Sequence, residues 1–78
     1  MENVFEVAEK YINDENILEY LMYMGEKIIG NKHIYLYKHI DTRKYINIDE
    51  EGNFYKYNCY SKEYIGITKE IAILDLLK

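Results

Sequence analysis

The sequence predicts an α+β fold with two N-terminal helices, a three-stranded antiparallel β-meander and a short C-terminal helix. Three observations carry this. Apolar residues recur at three- and four-residue spacing as far as Gly30, and from His33 they alternate with period two. Two of the alternating runs are joined by Glu50-Glu51-Gly52, a hairpin signal. With 78 residues the chain has core volume for one domain, 1–78, and not for a second.

The first helix is expected over about residues 2–13, where Val4, Ala8, Tyr11 and Ile12 share a face and Glu6, Glu9 and Lys10 lie elsewhere. Asn13 or Asp14 can cap a second helix over about 15–29, in which Ile17, Leu18, Leu21, Met24 and Ile28 repeat at helical spacing before Gly30 ends it. A single helix kinked near Asn13 fits the same spacing. Strands follow at about 33–40, 44–49 and 53–60, rich in β-branched and aromatic residues. A final helix at about 68–77 starts from a Thr68 cap, although Ile71 to Leu74 also reads as a fourth strand.

The turns set the expected register. A three-residue loop at Glu50-Glu51-Gly52, with glycine in the left-handed region, pairs Asp49 with Asn53, Ile48 with Phe54, Asn47 with Tyr55, Ile46 with Lys56 and Tyr45 with Tyr57. A three-residue loop at Asp41-Thr42-Arg43 would pair Ile40 with Lys44, His39 with Tyr45 and Tyr37 with Asn47. Alternation then gathers Ile34, Leu36, Ile40, Ile46, Ile48 and Phe54 on a core face. Tyr35, Tyr37, His39, Tyr45, Tyr55 and Tyr57 gather on the other.

Charge is uneven along the chain. Residues 1–26 hold seven acids against Lys10, a net −6; residues 27–46 hold five bases against Asp41, a net +4; the remainder is −2, giving −4 overall. The single Cys59 forms no internal disulfide, which points to a reducing compartment. The first residues lack the basic and apolar regions of a signal peptide, and no apolar run nears the ~20 residues of a membrane span. A cytoplasmic location in a bacterial host cell, with no membrane contact, is the expectation. Abundant Ile, Lys, Asn and Tyr, with no proline, suggest AT-rich coding.

Motifs for catalysis are missing. In the expected register Cys59 sits two strands from His39, too far for a nucleophile and its base, and it reads as a half-buried strand residue. His33 and His39 are about 20 Å apart along an extended chain, beyond a shared metal. Asp49, Glu50 and Glu51 read as a solvated hairpin tip, and the glycines form neither a phosphate-binding loop nor a dinucleotide fingerprint. No enzyme activity, cofactor or metal site is therefore expected.

The tyrosines are the informative feature, since tyrosine is enriched where proteins bind partners. The expected partner-binding residues are Tyr35, Tyr37, His39, Tyr45, Asp49, Glu50, Glu51, Tyr55 and Tyr57. A small acidic chain with helices followed by a β-meander resembles the phage-encoded proteins that block bacterial defences, including anti-CRISPR proteins. The resemblance implies a protein-binding inhibitor of a nucleic-acid-targeting system. The implied partner is a host protein or ribonucleoprotein complex, with acids such as Glu2, Glu6, Glu9 and Asp49 to Glu51 in sites meant for phosphates. Two other readings compete. Bases could stack on Tyr35, Tyr37, Tyr55 and Tyr57 while Lys32, Lys38, Arg43, Lys44 and Lys56 meet phosphates, a mode that the acidic N-terminal helices disfavour. Alternatively, a homodimer could close aromatic pockets around a nucleotide signal.

Overall fold

The computed structural model describes residues 3–78; the expected helix start at residue 2, with Glu2, lies outside them. The described elements are α1 (Glu6–Tyr11), α2 (Glu15–Leu18), β1 (Leu21–Ile29), β2 (Lys32–His39), β3 (Tyr45–Asp49), β4 (Phe54–Asn58), β5 (Glu63–Ile67) and α3 (Lys69–Leu77). The strands form one antiparallel sheet in the order β1-β2-β3-β4-β5. The α+β class holds, with five strands where three were expected.

Residues 21–29 correct the largest expectation. Asp14 does cap a helix, its Oδ1 accepting from the Asn16 N–H at 2.9 Å, but that helix ends at Leu18. The chain then enters the sheet, where the Tyr20 carbonyl accepts from the Ile40 N–H at 2.9 Å. Glycine in a helix interior costs about 1 kcal/mol relative to alanine, whereas in β1 Gly25 (φ 127°) completes a bulge between Tyr23 and Gly25. Gly30 (φ 59°) opens a two-residue turn that pairs Ile29 with Lys32. The helical spacing of Leu21, Met24 and Ile28 is thus a coincidence that strand pairing overrides.

The second hairpin matches the sequence from its turn as far as Asn47–Tyr55, and the expected pairs Ile46–Lys56 and Tyr45–Tyr57 are not part of the ladder. The Asp49 N–H donates to the Asn53 carbonyl at 3.0 Å, Ile48 faces Phe54, and Gly52 closes the turn at φ 89°. The first hairpin does not. Its loop has four residues, 40–43, so His39 faces Lys44, Tyr37 faces Ile46 and Tyr35 faces Ile48. A one-residue slip turns every β2 side chain to the other face of the sheet.

A side-chain cap favours the longer loop. The Arg43 N–H donates to the His39 carbonyl at 2.9 Å, while His39 Nδ1 accepts from the Asp41 and Thr42 N–H groups, each at 3.2 Å. These bonds offset the left-handed conformation of Arg43 (φ 65°). The β4–β5 turn repeats the device: Asn58 Oδ1 accepts from the Tyr60 and Ser61 N–H groups, and Lys62 takes φ 59°. Cys59 sits in that turn as an exposed thiol, not half-buried in a strand.

The helices cover one face of the sheet. Ala8, Ile12, Ile17, Ala72 and Leu76 pack there on Leu21, Tyr37, Ile46, Ile48 and Phe54. Tyr37 is 0 % exposed, and its hydroxyl donates to the Val4 carbonyl at 2.9 Å. Burial pushes that hydroxyl up to about 12, against a backbone hydrogen bond at Ala8 that pulls it down. Ile34 is buried as expected, at 1 % exposed, but stands with Leu36 on the opposite face of the sheet, and Ile40 lies exposed in the turn. The Thr68 cap holds as expected, its Oγ1 accepting from the Ile71 N–H at 3.2 Å. No helix among the described residues is long and apolar enough to cross a membrane.

Two predictions follow from the turns. His39→Ala should lower stability by about 2 kcal/mol, and His39→Asn by less than half as much, because asparagine supplies the acceptor that Asn58 already provides in the sister turn. Equal losses in urea unfolding would show that ring packing on Tyr20, not the cap, is what matters. A Cβ on Gly52 would run into the Tyr11 ring and would have to adopt a positive φ. Gly52→Ala should therefore cost roughly 1–3 kcal/mol in the same assay.

Candidate binding face

Alternation from the observed register defines the face that no helix covers. One row across the sheet runs Met22, Lys38, Tyr45, Tyr57, Tyr64, and the next runs Leu36, Asn47, Tyr55, Gly66. Tyr45 and Tyr57 are 47 % and 46 % exposed, and Tyr64 is half-buried. The Tyr57 and Tyr64 rings lie 5.0 Å apart, and Lys38 Nζ sits 5.7 Å from the centre of the Tyr45 ring. Burial raises the Tyr64 hydroxyl above its ordinary value, and the nearby Tyr57 and Tyr45 raise it further.

Beside the rows lies a buried polar chain. Asp49 is 2 % exposed, contrary to the solvated tip expected of it. Its Oδ1 accepts from the Glu51 and Asn53 N–H groups, each at 2.9 Å; its Oδ2 accepts from Asn53 Nδ2 at 3.1 Å and from the Tyr55 hydroxyl at 2.7 Å. Lys32 Nζ donates to the same hydroxyl at 3.2 Å. Burial alone would raise the Asp49 carboxyl, but the Tyr55, Asn53 and Glu51 donors outweigh it and hold the carboxyl below its usual value. Burial and the Asp49 bond raise the Tyr55 hydroxyl in turn. Asn47, also buried, donates through Nδ2 to the Tyr55 carbonyl at 3.1 Å.

The ladder between β3 and β4 contains only Asn47–Tyr55 and Ile48–Phe54 before the turn. Beyond them a cleft of about 640 Å³ opens, within the usual size of small-molecule sites. Its walls come from both faces of the sheet: Tyr45, Tyr57 and Tyr64 on the open side, and Lys44, Lys56 and Lys78 toward α3.

The expected site residues therefore divide. Tyr45 and Tyr57 come together at the cleft, with Tyr55 in its floor. Asp49 is a buried support for Tyr55. The register slip moves Tyr35, Tyr37 and His39 to the helix-covered face, away from that group, because their partners there are Ile48, Ile46 and Lys44. Glu50 borders a separate hollow of about 250 Å³ with Tyr35 and Tyr11, whose hydroxyl donates to the Glu50 carbonyl at 3.0 Å. Glu51 is exposed in the turn.

Tyr64 was missed with its strand, although Tyr64-Ile-Gly-Ile67 after an asparagine turn carries a β signal. Among the described residues no group of three His, Cys, Asp or Glu side chains is placed to hold a metal ion. No protein-family model, curated protein or solved structure matches the chain.

The lowered Asp49 carboxyl has a signed consequence. A depressed folded-state value adds stability that is present above the ordinary aspartate value of about 4 and is lost as pH falls through the folded value. Asp49→Asn should be less stable than the parent at neutral pH by roughly 1–3 kcal/mol, and the gap should narrow below about pH 4. Urea midpoints across that range measure it.

Proposed function

We propose that this chain is a non-enzymatic binding protein whose open sheet face receives single-stranded nucleic acid. The observation that supports this reading is the distribution of charge across the sheet. Strand positions on the open face carry Lys27, Lys32 and Lys38, and their one carboxylate, Asp49, is buried and fully hydrogen-bonded. Glu6, Glu9, Asp14, Glu15 and Glu19 belong to α1, α2 and their caps, which pack on the other face. The acidic segment that argues against a phosphate backbone at the level of sequence thus stands behind the sheet. Exposed tyrosines beside lysines, with exposed Glu51 near Lys32 at the β3–β4 turn, suit bases that stack and phosphates that need cations.

A protein-binding inhibitor of a nucleic-acid-targeting defence complex is the second reading. It is favoured by the same acids, which make the helical side a negative surface for a basic partner, and by the exposed Ile71, Leu74 and Leu77 on α3. That surface leaves the tyrosine face unused.

Fluorescence anisotropy with labelled single strands at low ionic strength tests the first reading. With about three lysines in contact, the slope of log affinity against log salt should be near −2. Tyr57→Ala should weaken binding by about 1–3 kcal/mol, while Glu6→Ala leaves it unchanged. No binding even at low salt would sink the proposal, and recovery of a host defence protein dependent on Glu6 and Glu9 would favour the second reading.

A further inference from the structure

The gap in the sheet can be read at the level of single backbone groups. Antiparallel pairs alternate between bonded and non-bonded. The His39 N–H donates to the Lys44 carbonyl, so the next pair, Lys38–Tyr45, is non-bonded. The Tyr45 N–H and C=O consequently point away from β2 and toward β4. The β4–β5 turn has the same form, with the Lys62 N–H donating to the Asn58 carbonyl, so Tyr57 is non-bonded toward Tyr64 and directs its own N–H and C=O toward β3.

Tyr45 and Tyr57 would be the next bonded pair of the β3–β4 ladder, in phase with Asp49–Asn53 and Asn47–Tyr55. The ladder stops one step short of them. On this register the main chains of Tyr45 and Tyr57, both lining the 640 Å³ cleft, lie beyond the last paired rung. Main-chain groups outside a ladder are hydrated in an open cleft, and a ligand with a matching donor and acceptor can replace that water.

Its surroundings restrict the chemistry. Tyrosine rings stand on the open side, a planar apolar environment. Lys44, Lys56 and Lys78 stand on the side toward α3, with the single carboxylate Asp75, which lies 3.8 Å from Lys78 Nζ. The N–H and C=O of one extended residue form an adjacent donor and acceptor, the complement of a Watson–Crick edge.

We infer that the opening between β3 and β4 is a site for one nucleotide unit. The base edge bonds the main chain of Tyr45 and Tyr57, its plane stacks on a tyrosine ring, and its phosphate is held by Lys44 and Lys56. The inference rests on the nucleic-acid reading of the open face and gives it a fixed anchor point. Main-chain groups offer both a donor and an acceptor, so the anchor accepts any base and discriminates against a sugar phosphate that has none.

Amide-resolved NMR titration of the full chain with adenosine monophosphate, uridine monophosphate and ribose 5-phosphate tests it. Both nucleotides should shift the Tyr45 and Tyr57 amides saturably, at affinities at least about tenfold above that of ribose 5-phosphate, one stacked base being worth that much or more. In the free protein these two amides should exchange with solvent faster than those of Asn47 and Tyr55, and nucleotide should slow them. Equal affinity for ribose 5-phosphate, or nucleotide binding that leaves both amides unmoved, overturns the inference. Single strands would still raise the anisotropy in that event, and the open-face reading would stand. Absence of both signals removes both.

Discussion

The pairing of Tyr37 with Ile46 is the constraint on which the rest of the molecule depends. In a sheet, register is a binary choice of face, and this pair places the Tyr37 ring under the helices beside Ile46 and Ile48. The large phenol is tolerated there because its hydroxyl reaches the Val4 carbonyl, so the buried oxygen keeps a partner and α1 is tied to the sheet. Phe5 and Tyr23 pack against the same ring at centroid distances of 5.9 and 6.1 Å. Reversing the register would expose this ring and bury Lys38 in its place.

The same choice divides the six tyrosines of β2 to β5 by role. Those of β2 support the core, Tyr55 holds the Asp49 carboxylate in a buried chain, and Tyr45, Tyr57 and Tyr64 face the open side. Asp49 joins two of these roles. Its four accepted hydrogen bonds close the β3–β4 turn and orient Tyr55, whose ring forms part of the cleft floor. A turn that is locally stable thereby positions a side chain of the candidate site.

An opening inside a small sheet needs support from elsewhere, since each missing ladder bond removes a tie between strands. α3 provides it by packing on both β3 and β4. Its buried Ala72 and Leu76 enter the core, and Thr42 Oγ1 donates to the Leu76 carbonyl at 2.6 Å, linking the helix end to the β2–β3 turn. The strands are held at their spacing by a helix across one side, so the sheet stays together where the β3–β4 ladder ends.

What could be read from the residues alone was local. The Gly52 turn with its Asp49–Asn53 pair, the Asp14 and Thr68 caps, the α+β class and the period-two runs of β2, β3 and β4 all follow from contacts within a few residues. The identity of residues 21–29 and the recognition of β5 did not follow, because a short apolar run satisfies helical and strand spacing alike until a neighbouring strand supplies the hydrogen bonds. The four-residue loop was hidden for a related reason: Arg43 adopts a left-handed conformation without glycine only when His39 caps the turn, and that role exists only once the turn has formed. One residue of loop length then decided which tyrosines face solvent. Composition established that aromatic and basic residues are plentiful; the long-range pairing of strands, in which a single step reverses every side chain, decided that Tyr45, Tyr57 and Tyr64 meet at one cleft, that Lys27, Lys32 and Lys38 share their face, and that the acids of α1 and α2 stand behind the sheet.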